Sequence, residues 1–383
     1  MNRTLRRAMT ATAVATTAFA MVGGAAFAAG DPYLAADTHS GAATIGGAGS
    51  TFAAPLMNAA QPVYSARNSN ATLNAYQSVG SGSGIADIVK GLVNFGASDV
   101  PMKQSDITAN GSAQPLANFL QVPVDLGGVG ISYNVKGIKT GLILNATVLA
   151  GIYKGTITTW NNAAIKKLNA KVKLPSSKIV VIARGDKSGT TYIFTDFLHT
   201  AAATTWTTSP SKSPIKLPSG GVAGTGNGGV ASAIASTANS IGYVEYSYIL
   251  LNGKLAGSVA KIVNATGKAL APTVAGITAD AAAKPSITST DFTIVFQKGA
   301  TAYPIAGYTW AIVKVKQTST ATGTLLVKYL DWLSHTGTPS SVAGQTIAKQ
   351  QAYVALPTNI QALARTTLLK VKGPLNQTLL TTH

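Results

Sequence analysis

One segment near the middle of the chain, residues 179–194, most constrains the fold because it joins two apolar runs through a loop of small polar residues. Residues 179–183 are apolar and mostly β-branched, which predicts a buried strand. The apolar residues after the loop fit one broad helix face: Tyr192, Ile193, Phe194, Phe197 and Leu198. Such a strand–loop–helix unit can bind an anion, because the first backbone N–H groups of a helix are unpaired and its dipole is positive there.

The loop itself carries side chains suited to an oxyanion. Arg184 offers a planar set of N–H donors. Ser188 and Thr190 add hydroxyl groups, and Gly189 lets the backbone approach a ligand closely. Asp186 follows Arg184 closely enough to be the partner that orients its guanidinium. The loop therefore predicts an anion site.

Other loops of small residues repeat this pattern. Residues 46–52 follow a short apolar run and precede a helix-like segment. Residues 80–84 precede a helical stripe formed by Ile85, Ile88, Val89 and Leu92. A fourth loop, residues 95–99, ends in a hydroxyl and a carboxylate. Ligands of open α/β sheets lie at the carboxyl ends of strands, so we expect these loops to converge on one oxyanion.

In order and spacing, these motifs resemble the phosphate-binding protein of the bacterial high-affinity phosphate ABC transporter. The resemblance runs from about Ile45 to about Trp332 and rests on four motifs, residues 47–52, 76–82, 95–99 and 184–190. It implies an α/β, two-lobed type II periplasmic-binding-protein fold, with the ligand in the interdomain cleft. It also implies an ABC transporter permease as partner, and we expect a monomer.

The expected phosphate contacts come from all four loops. They are the backbone N–H groups of Thr51 and Phe52 together with Ser81, Asp99, Arg184, Ser188, Gly189 and Thr190, supported by Ser98 and Asp186. Asp99 is informative because an ionised carboxylate only accepts hydrogen bonds, so it selects an anion that still carries a proton. The resemblance gives the matching Asp this role. The competing interpretation, Asp99 or Ser98 as a helix N-cap, predicts no effect on selectivity.

The chain order predicts four parts. Arg3, Arg6 and Arg7 precede an apolar run that ends in the cleavage pattern of residues 26–28, so residues 1–28 predict a signal peptide and residues 29–42 a flexible leader. Residues 43–134 and 305–383 are assigned to domain I and residues 135–304 to domain II. We therefore expect an exported protein of the periplasm or cell surface, with no membrane span in the mature chain.

The charge balance is strongly basic, with 30 Lys and Arg against 12 Asp and Glu. Nucleic-acid binding is not expected, because the lysines are scattered and no basic stretch is interleaved with aromatic residues. The scarcity of carboxylates suggests an acidic habitat, since few groups would destabilise the fold on protonation. The alternative is a basic protein held near an anionic cell wall.

Enzyme chemistry finds little support in the residues. The chain has no cysteine, and its 4 histidines show no metal-ligand spacing. No Walker loop occurs, and neither a cofactor nor a metal is expected. The leading hypothesis is a non-catalytic receptor that binds phosphate and delivers it for import. A secreted phosphomonoesterase with the same fold is the alternative, and a cell-surface phosphate store without a permease is a third.

Overall fold

The computed structural model of this chain describes residues 42–337 and 342–380. The predicted signal peptide and, except for Ala42, the predicted leader lie outside the described residues.

The first part of the chain alternates short strands and helices up to one long strand. Its elements are β1 (Ala43–Ile45), β2 (Gly47–Gly49), α1 (Ala54–Arg67), β3 (Ala71–Leu73), α2 (Ser81–Lys90), β4 (Phe95–Ser98), α3 (Gln104–Ala109) and β5 (Phe119–Asn134).

The middle part adds further strands and helices. They are β6 (Ile143–Leu144), α4 (Ala146–Tyr153), α5 (Ala163–Leu168), β7 (Val180–Arg184), α6 (Gly189–Ala201), β8 (Val222–Gly224), α7 (Gly226–Ser236), β9 (Ser240–Glu245), α8 (Tyr246–Leu251), β10 (Lys261–Val263), β11 (Ala269–Leu270) and α9 (Val274–Ala283). The chain then returns through β12 (Ala306–Lys314), α10 (Thr320–Ser334), α11 (Gly344–Gln350) and α12 (Thr358–Leu368).

A seven-stranded mixed sheet in the order β2-β4-β12-β5-β9-β7-β8 runs through the described part of the chain. β5 links its two halves, because residues 119–128 pair antiparallel with β12 and residues 129–134 pair antiparallel with β9. We call the described residues before 129 and after 304 lobe I, and residues 129–304 lobe II. The predicted domain boundary after Asn134 stays a prediction; the pairing partner of β5 already changes between Gly128 and Val129.

β5 can serve both lobes because it is buried on both faces for most of its length, as a nearly continuous apolar run predicts. Two glycines, Gly127 and Gly128, lie where the pairing of β5 changes from β12 to β9, and they allow side chains to pack closely against the strand. A Cβ on Gly127 would lie 2.7 Å from the ring of Phe52, and one on Gly128 would lie 2.6 Å from Ile277. The crossing between the lobes is therefore packed tightly from both sides.

The amphipathic patterns predict several helices well and one helix end wrongly. In α2, Ile85, Ile88 and Val89 are buried as predicted. Leu92, assigned to the same stripe, is 70% exposed. The helix ends at Lys90 because Gly91 adopts a left-handed conformation, with φ of 73°, and closes the last turn.

Candidate functional site

Asp99 lies directly after β4, at the carboxyl end of the strand, and is 2% exposed. Three hydroxyl groups surround its carboxylate. Ser50 and Thr309 donate to Oδ1, the latter at 2.7 Å, and Ser81 donates to Oδ2 at 3.5 Å. The nearest following helix, α3, begins at Gln104 after Lys103, so Asp99 caps no helix. The helix-cap interpretation is therefore wrong for this residue.

Burial raises the pKa of Asp99 to about 6, although hydrogen bonds from Ser50 and Thr309 and the charge of Arg184 act in the opposite direction. At neutral pH the carboxylate is therefore mostly ionised and accepts hydrogen bonds only. Below about pH 6 it gains a proton and can donate one.

Arg184 is the last residue of β7 and is 2% exposed. Its Nε donates to Asp186 Oδ1 at 2.7 Å, its Nη2 donates to Asp186 Oδ2, and its Nη1 lies 3.4 Å from Thr190 Oγ1. Burial alone would raise the pKa of Asp186, but hydrogen bonds and charge from Arg184, with the Gly226 N–H, outweigh it and lower that pKa. Asp186 therefore stays ionised and fixes the guanidinium, while its supporting role at a ligand stays a prediction.

The N-terminus of α6 brings together three of the predicted residues, Ser188, Gly189 and Thr190. Ser188 is the N-cap, and its Oγ accepts from the Thr191 N–H at 3.1 Å. The Gly189 N–H donates to Ser81 Oγ at 3.1 Å across the lobe boundary. A Cβ on Gly189 would lie 2.4 Å from Asp99 Oδ2, so only glycine lets this helix end approach the carboxylate.

Gly80, before α2, has a comparable role. It has φ of 92°, and a Cβ there would lie 2.5 Å from Asp186 Oδ2. The Gly82 N–H donates to the Lys187 carbonyl at 3.0 Å. The α2 loop of lobe I is thus seated against the Arg184 loop of lobe II.

The loop before α1 is held mainly by its own serine. The Phe52 N–H, predicted to face the ligand, donates to Ser50 Oγ at 3.0 Å. The Thr51 hydroxyl accepts hydrogen bonds from Asn227 of lobe II.

The turn after β4 holds Ser98 locally, since its Oγ accepts from the Val100 N–H at 3.2 Å. Ser98 thus bonds within the turn that carries the carboxylate, and its support of Asp99 stays a prediction.

Asn227 was not predicted as a site residue. It lies at the start of α7 and is fully buried. Its Nδ2 donates to Thr51 Oγ1 at 3.0 Å and to Thr190 Oγ1 at 3.1 Å, and its backbone N–H also donates to Thr51 Oγ1, at 3.1 Å. Residues 207–229 read as a loose polar stretch in the sequence, but they contain β8 and the first turn of α7. The one available signal was a Gly-Asn-Gly-Gly sequence opening a helix, residues 226–229.

Glu245 closes the lobe II side of the site from β9 and is fully buried. It accepts from the Ser247 N–H at 2.9 Å, and its Oε2 lies 3.3 Å from Tyr353 Oη, whose hydroxyl hydrogen is donated to the Phe52 carbonyl. Burial raises the pKa of Glu245 to about 8 against these hydrogen bonds. Glu245 is therefore mostly neutral at pH 7 and adds little negative charge beside an anion site.

The arrangement combines an oriented guanidinium, hydroxyl groups and a helix N-terminus with one carboxylate that accepts. This set suits a small oxyanion that carries at least one proton. In residues 42–337 and 342–380, no group of His, Asp or Glu side chains is placed to hold a metal ion. Over the same residues, no helix combines the length and apolar character needed to cross a bilayer.

Comparison with known proteins gives a consistent answer. The family model described as the PBP superfamily domain matches residues 35–336. Phosphate-binding protein PstS of Xylella fastidiosa is 34% identical over 316 residues, covering 82% of this chain and 81% of that protein. Phosphate-binding protein PstS 3 of Mycobacterium tuberculosis is 31% identical over 322 residues, covering 81% of this chain and 82% of that protein.

Solved structures show the same fold. A high-affinity periplasmic phosphate-binding protein solved with bound phosphate superposes with a TM-score of 0.67 at 24% identity, over 84% of this chain and 93% of that one. A phosphate-binding protein from Stenotrophomonas maltophilia superposes with a TM-score of 0.65 at 22% identity, over 85% of this chain and 94% of that one. These likenesses confirm the predicted two-lobed type II periplasmic-binding-protein fold. The chain belongs to the PBP superfamily and, within it, to the family of bacterial phosphate-binding proteins.

Proposed function

We propose that this protein binds inorganic phosphate outside the cytoplasmic membrane and delivers it to the permease of an ABC transporter for import. It acts as a receptor and not as an enzyme. The observation that carries the proposal is the placement of Asp99, a buried carboxylate among hydroxyl donors, opposite the N-terminus of α6 and near the Arg184 loop.

The chemistry of that placement suits phosphate. Mono- and dibasic phosphate present both charged oxygens and a P–OH group. Arg184 and the α6 N-terminus supply donors for the oxygens, and the ionised Asp99 supplies an acceptor for the P–OH. Fully ionised sulfate has no proton and would set an oxygen lone pair against the Asp99 carboxylate.

The proposed ligand set is the one predicted from the sequence. It comprises Thr51, Phe52, Ser81, Asp99, Arg184, Ser188, Gly189 and Thr190, with Ser98 and Asp186 in support. Contacts across the lobe boundary support a common site, since Gly189 meets Ser81 and Asn227 meets Thr51. The hydroxyls of Ser81 and Thr51 accept in these bonds, so each could donate its own hydrogen to a phosphate oxygen on binding.

Closure of the two lobes on the ligand is part of the proposal. The predicted domains, residues 43–134 with 305–383 and residues 135–304, would rotate about the crossing strands β5 and β12. Closure removes water from the charged ligand, where its hydrogen bonds are individually stronger. Solution scattering should give a smaller radius of gyration with phosphate than without it. Equal radii would contradict a large closing motion.

Titration of the purified mature chain with phosphate tests binding, and pull-down of the permease by the phosphate-loaded protein tests delivery. The phosphomonoesterase alternative predicts turnover of p-nitrophenyl phosphate, whereas the receptor predicts none. A cell-surface store predicts phosphate binding without a permease gene in the neighbourhood. The receptor should bind phosphate and the permease without turnover, the phosphomonoesterase should show turnover, and the store should bind phosphate without a permease.

A further inference from the structure

The acidic residues of this protein are largely withdrawn from its surface. Among the described acids, six are buried: Asp99, Asp125, Asp196, Glu245, Asp280 and Asp331. Three of the others are paired with cations: Asp106 with Lys212 at 2.8 Å, Asp186 with Arg184, and Asp291 with Lys284. The lysines, by contrast, are mostly exposed. The surface field is therefore more positive than the net charge alone suggests.

The imbalance is sharpest in lobe II. Residues 126–185 contain no Asp or Glu at all, although they carry eight lysines and Arg184. Four of those lysines fall in α5 and the loop after it, namely Lys166, Lys167, Lys171 and Lys173, and all four are exposed. The same stretch of sequence therefore contains no acidic residue that could pair with these lysines.

Tertiary contacts extend this cluster to neighbouring elements. The Asn169 side chain, at the end of α5, bonds the backbone N–H and carbonyl of Ile143 at 2.8 Å each. Ile143 lies opposite Lys261 in the β6–β10 pair. The turn before β6 contributes Lys139, whose carbonyl accepts from Tyr133 Oη. We call the six exposed lysines at 139, 166, 167, 171, 173 and 261 the basic face.

The basic face lies away from the phosphate site. Asn134, the last residue of β5, is paired with Ser240, the first residue of β9, whereas Glu245 at the other end of β9 borders the site. The turn carrying Lys139 follows Asn134 directly and so lies at the opposite end of the sheet. Binding at the basic face would leave the cleft open to phosphate and to the permease.

The residue types indicate how a partner would be held. All six cations are lysines, which act as flexible point charges and do not impose the planar geometry of arginine. The nearby aromatic side chains Tyr133 and Trp160 are fully buried, so they offer no surface on which bases could stack. These features favour contact with a flexible chain of phosphates through charge alone.

We propose that the basic face binds a linear phosphodiester polymer of the cell envelope and so retains the exported receptor at the cell surface. The retention extends the proposed function, because it would hold the receptor near its permease. The polymer contact itself is independent of phosphate binding in the cleft.

Binding of the mature chain to immobilised poly(glycerol phosphate), measured over a series of salt concentrations, tests this proposal. We expect the affinity to fall steeply with salt, with a log–log slope of about −0.7 for each lysine–phosphate contact. Saturating inorganic phosphate should leave polymer binding unchanged. A slope near zero, or loss of polymer binding in phosphate, would overturn the proposal even without a variant.

A matched pair of variants separates the basic face from net charge. One carries Lys166→Gln, Lys167→Gln, Lys171→Gln and Lys173→Gln. The control carries the same four-charge change on exposed lysines of lobe I, at Lys90, Lys316, Lys349 and Lys370. The first variant should lose most polymer affinity and up to about three units of salt slope, at about 0.7 per contact, while the control keeps both. Both variants should bind phosphate with the affinity of the wild type. An equal loss of polymer affinity in the two variants would show that net charge, and not the basic face, holds the polymer.

Two other polyanions complete the test. We expect weaker binding of double-stranded DNA and of phosphatidylglycerol vesicles than of poly(glycerol phosphate) at the same salt and phosphate concentration. Tighter binding of DNA would assign the surface to nucleic acid, and tighter binding of vesicles would assign it to the membrane. Either result would overturn the proposal.

Discussion

The side-chain amide of Asn227 donates to Thr51 Oγ1 at 3.0 Å, and the two residues belong to different lobes. The same Nδ2 donates to Thr190 Oγ1 at 3.1 Å, while Asn227 Oδ1 accepts from the Glu245 N–H at 3.0 Å. One buried side chain therefore connects the loop before α1, the N-terminus of α6 and the end of β9. These bonds to Thr51 cross the lobe boundary, so the proposed closed state would be stabilised by them.

Replacing Asn227 with Ala should weaken phosphate binding by about 1–3 kcal/mol, because buried hydrogen-bonding groups lose their partner. The substitution removes bonds between the lobes, so it should destabilise the closed state more than the open state. Scattering should therefore also show a larger radius of gyration at saturating phosphate. Asn70→Ala, at an exposed position of lobe I, is the control and should leave both quantities unchanged. Wild-type affinity in Asn227→Ala would show that the residue does not stabilise closure.

Arg184→Ala should weaken phosphate binding by about 1.5–3 kcal/mol, the range for hydrogen bonds to charged groups. Arg184→Lys should recover only part of the loss, because lysine cannot keep the two-point contact that Arg184 makes with Asp186. Lys187→Gln removes an exposed positive charge from the same loop and should change affinity little. Calorimetric titration of the three variants measures each effect. An Arg184→Ala protein with unchanged affinity would place the site elsewhere.

The free energy of unfolding should rise as the pH is lowered from about 8 to about 4. Burial raises the folded-state pKa of Glu245 and of Asp280 to about 8 each, above the unfolded values of about 4. Between these values the folded chain binds more protons than the unfolded chain, so stability is present in full below about pH 4 and is lost as the pH rises through about 8. Denaturant unfolding at a series of pH values measures the trend.

Glu245→Gln and Asp280→Asn should each flatten that dependence, because an amide does not titrate. Asp291→Asn, at an exposed ion pair, should leave it in place, since surface pairs contribute little. A wild-type unfolding free energy that falls steadily from neutrality to about pH 5 would contradict the account, because Asp186, with its lowered pKa, loses its contribution only at lower pH. The expected trend agrees with the acidic habitat suggested by the scarcity of carboxylates.

Local patterns in the sequence were sufficient to predict the units that build the site. The β7–α6 unit and the loops ending in Ser81 and Asp99 could be recognised because small residues follow strands and precede helices. The burial of Ile85 and Ile88 also follows from periodicity alone.

Other features depend on tertiary contacts that local patterns do not contain. Thr309 is one more β-branched residue in a strand until β12 pairs with β4 and β5 and places its hydroxyl 2.7 Å from Asp99. Asn227 could not be distinguished from other polar loop residues, because its partners are far away in the chain. The change of partner within β5 likewise requires knowledge of which strands pair on either side.

Asp99 should set selectivity for a protonated anion. An ionised carboxylate accepts the P–OH of phosphate but repels sulfate, and a site built around one hydrogen bond can reject the analogue lacking it by roughly 10⁴–10⁵. Since the pKa of Asp99 is about 6, discrimination should decline as the pH falls below that value and the carboxyl becomes a donor. Competition between phosphate and sulfate over a pH series measures this decline. Selectivity that stays constant across about pH 6 would show that Asp99 does not set it.

The most direct test of the account is competitive titration of wild-type protein and Asp99→Asn with phosphate and sulfate near neutral pH. The wild type should strongly prefer phosphate, whereas Asp99→Asn, whose amide can donate, should lose much of that preference. Asp87→Asn in α2 serves as the control and should retain the wild-type ratio. Wild-type protein that binds the two anions comparably would contradict both the role of Asp99 and the assignment of phosphate as the ligand.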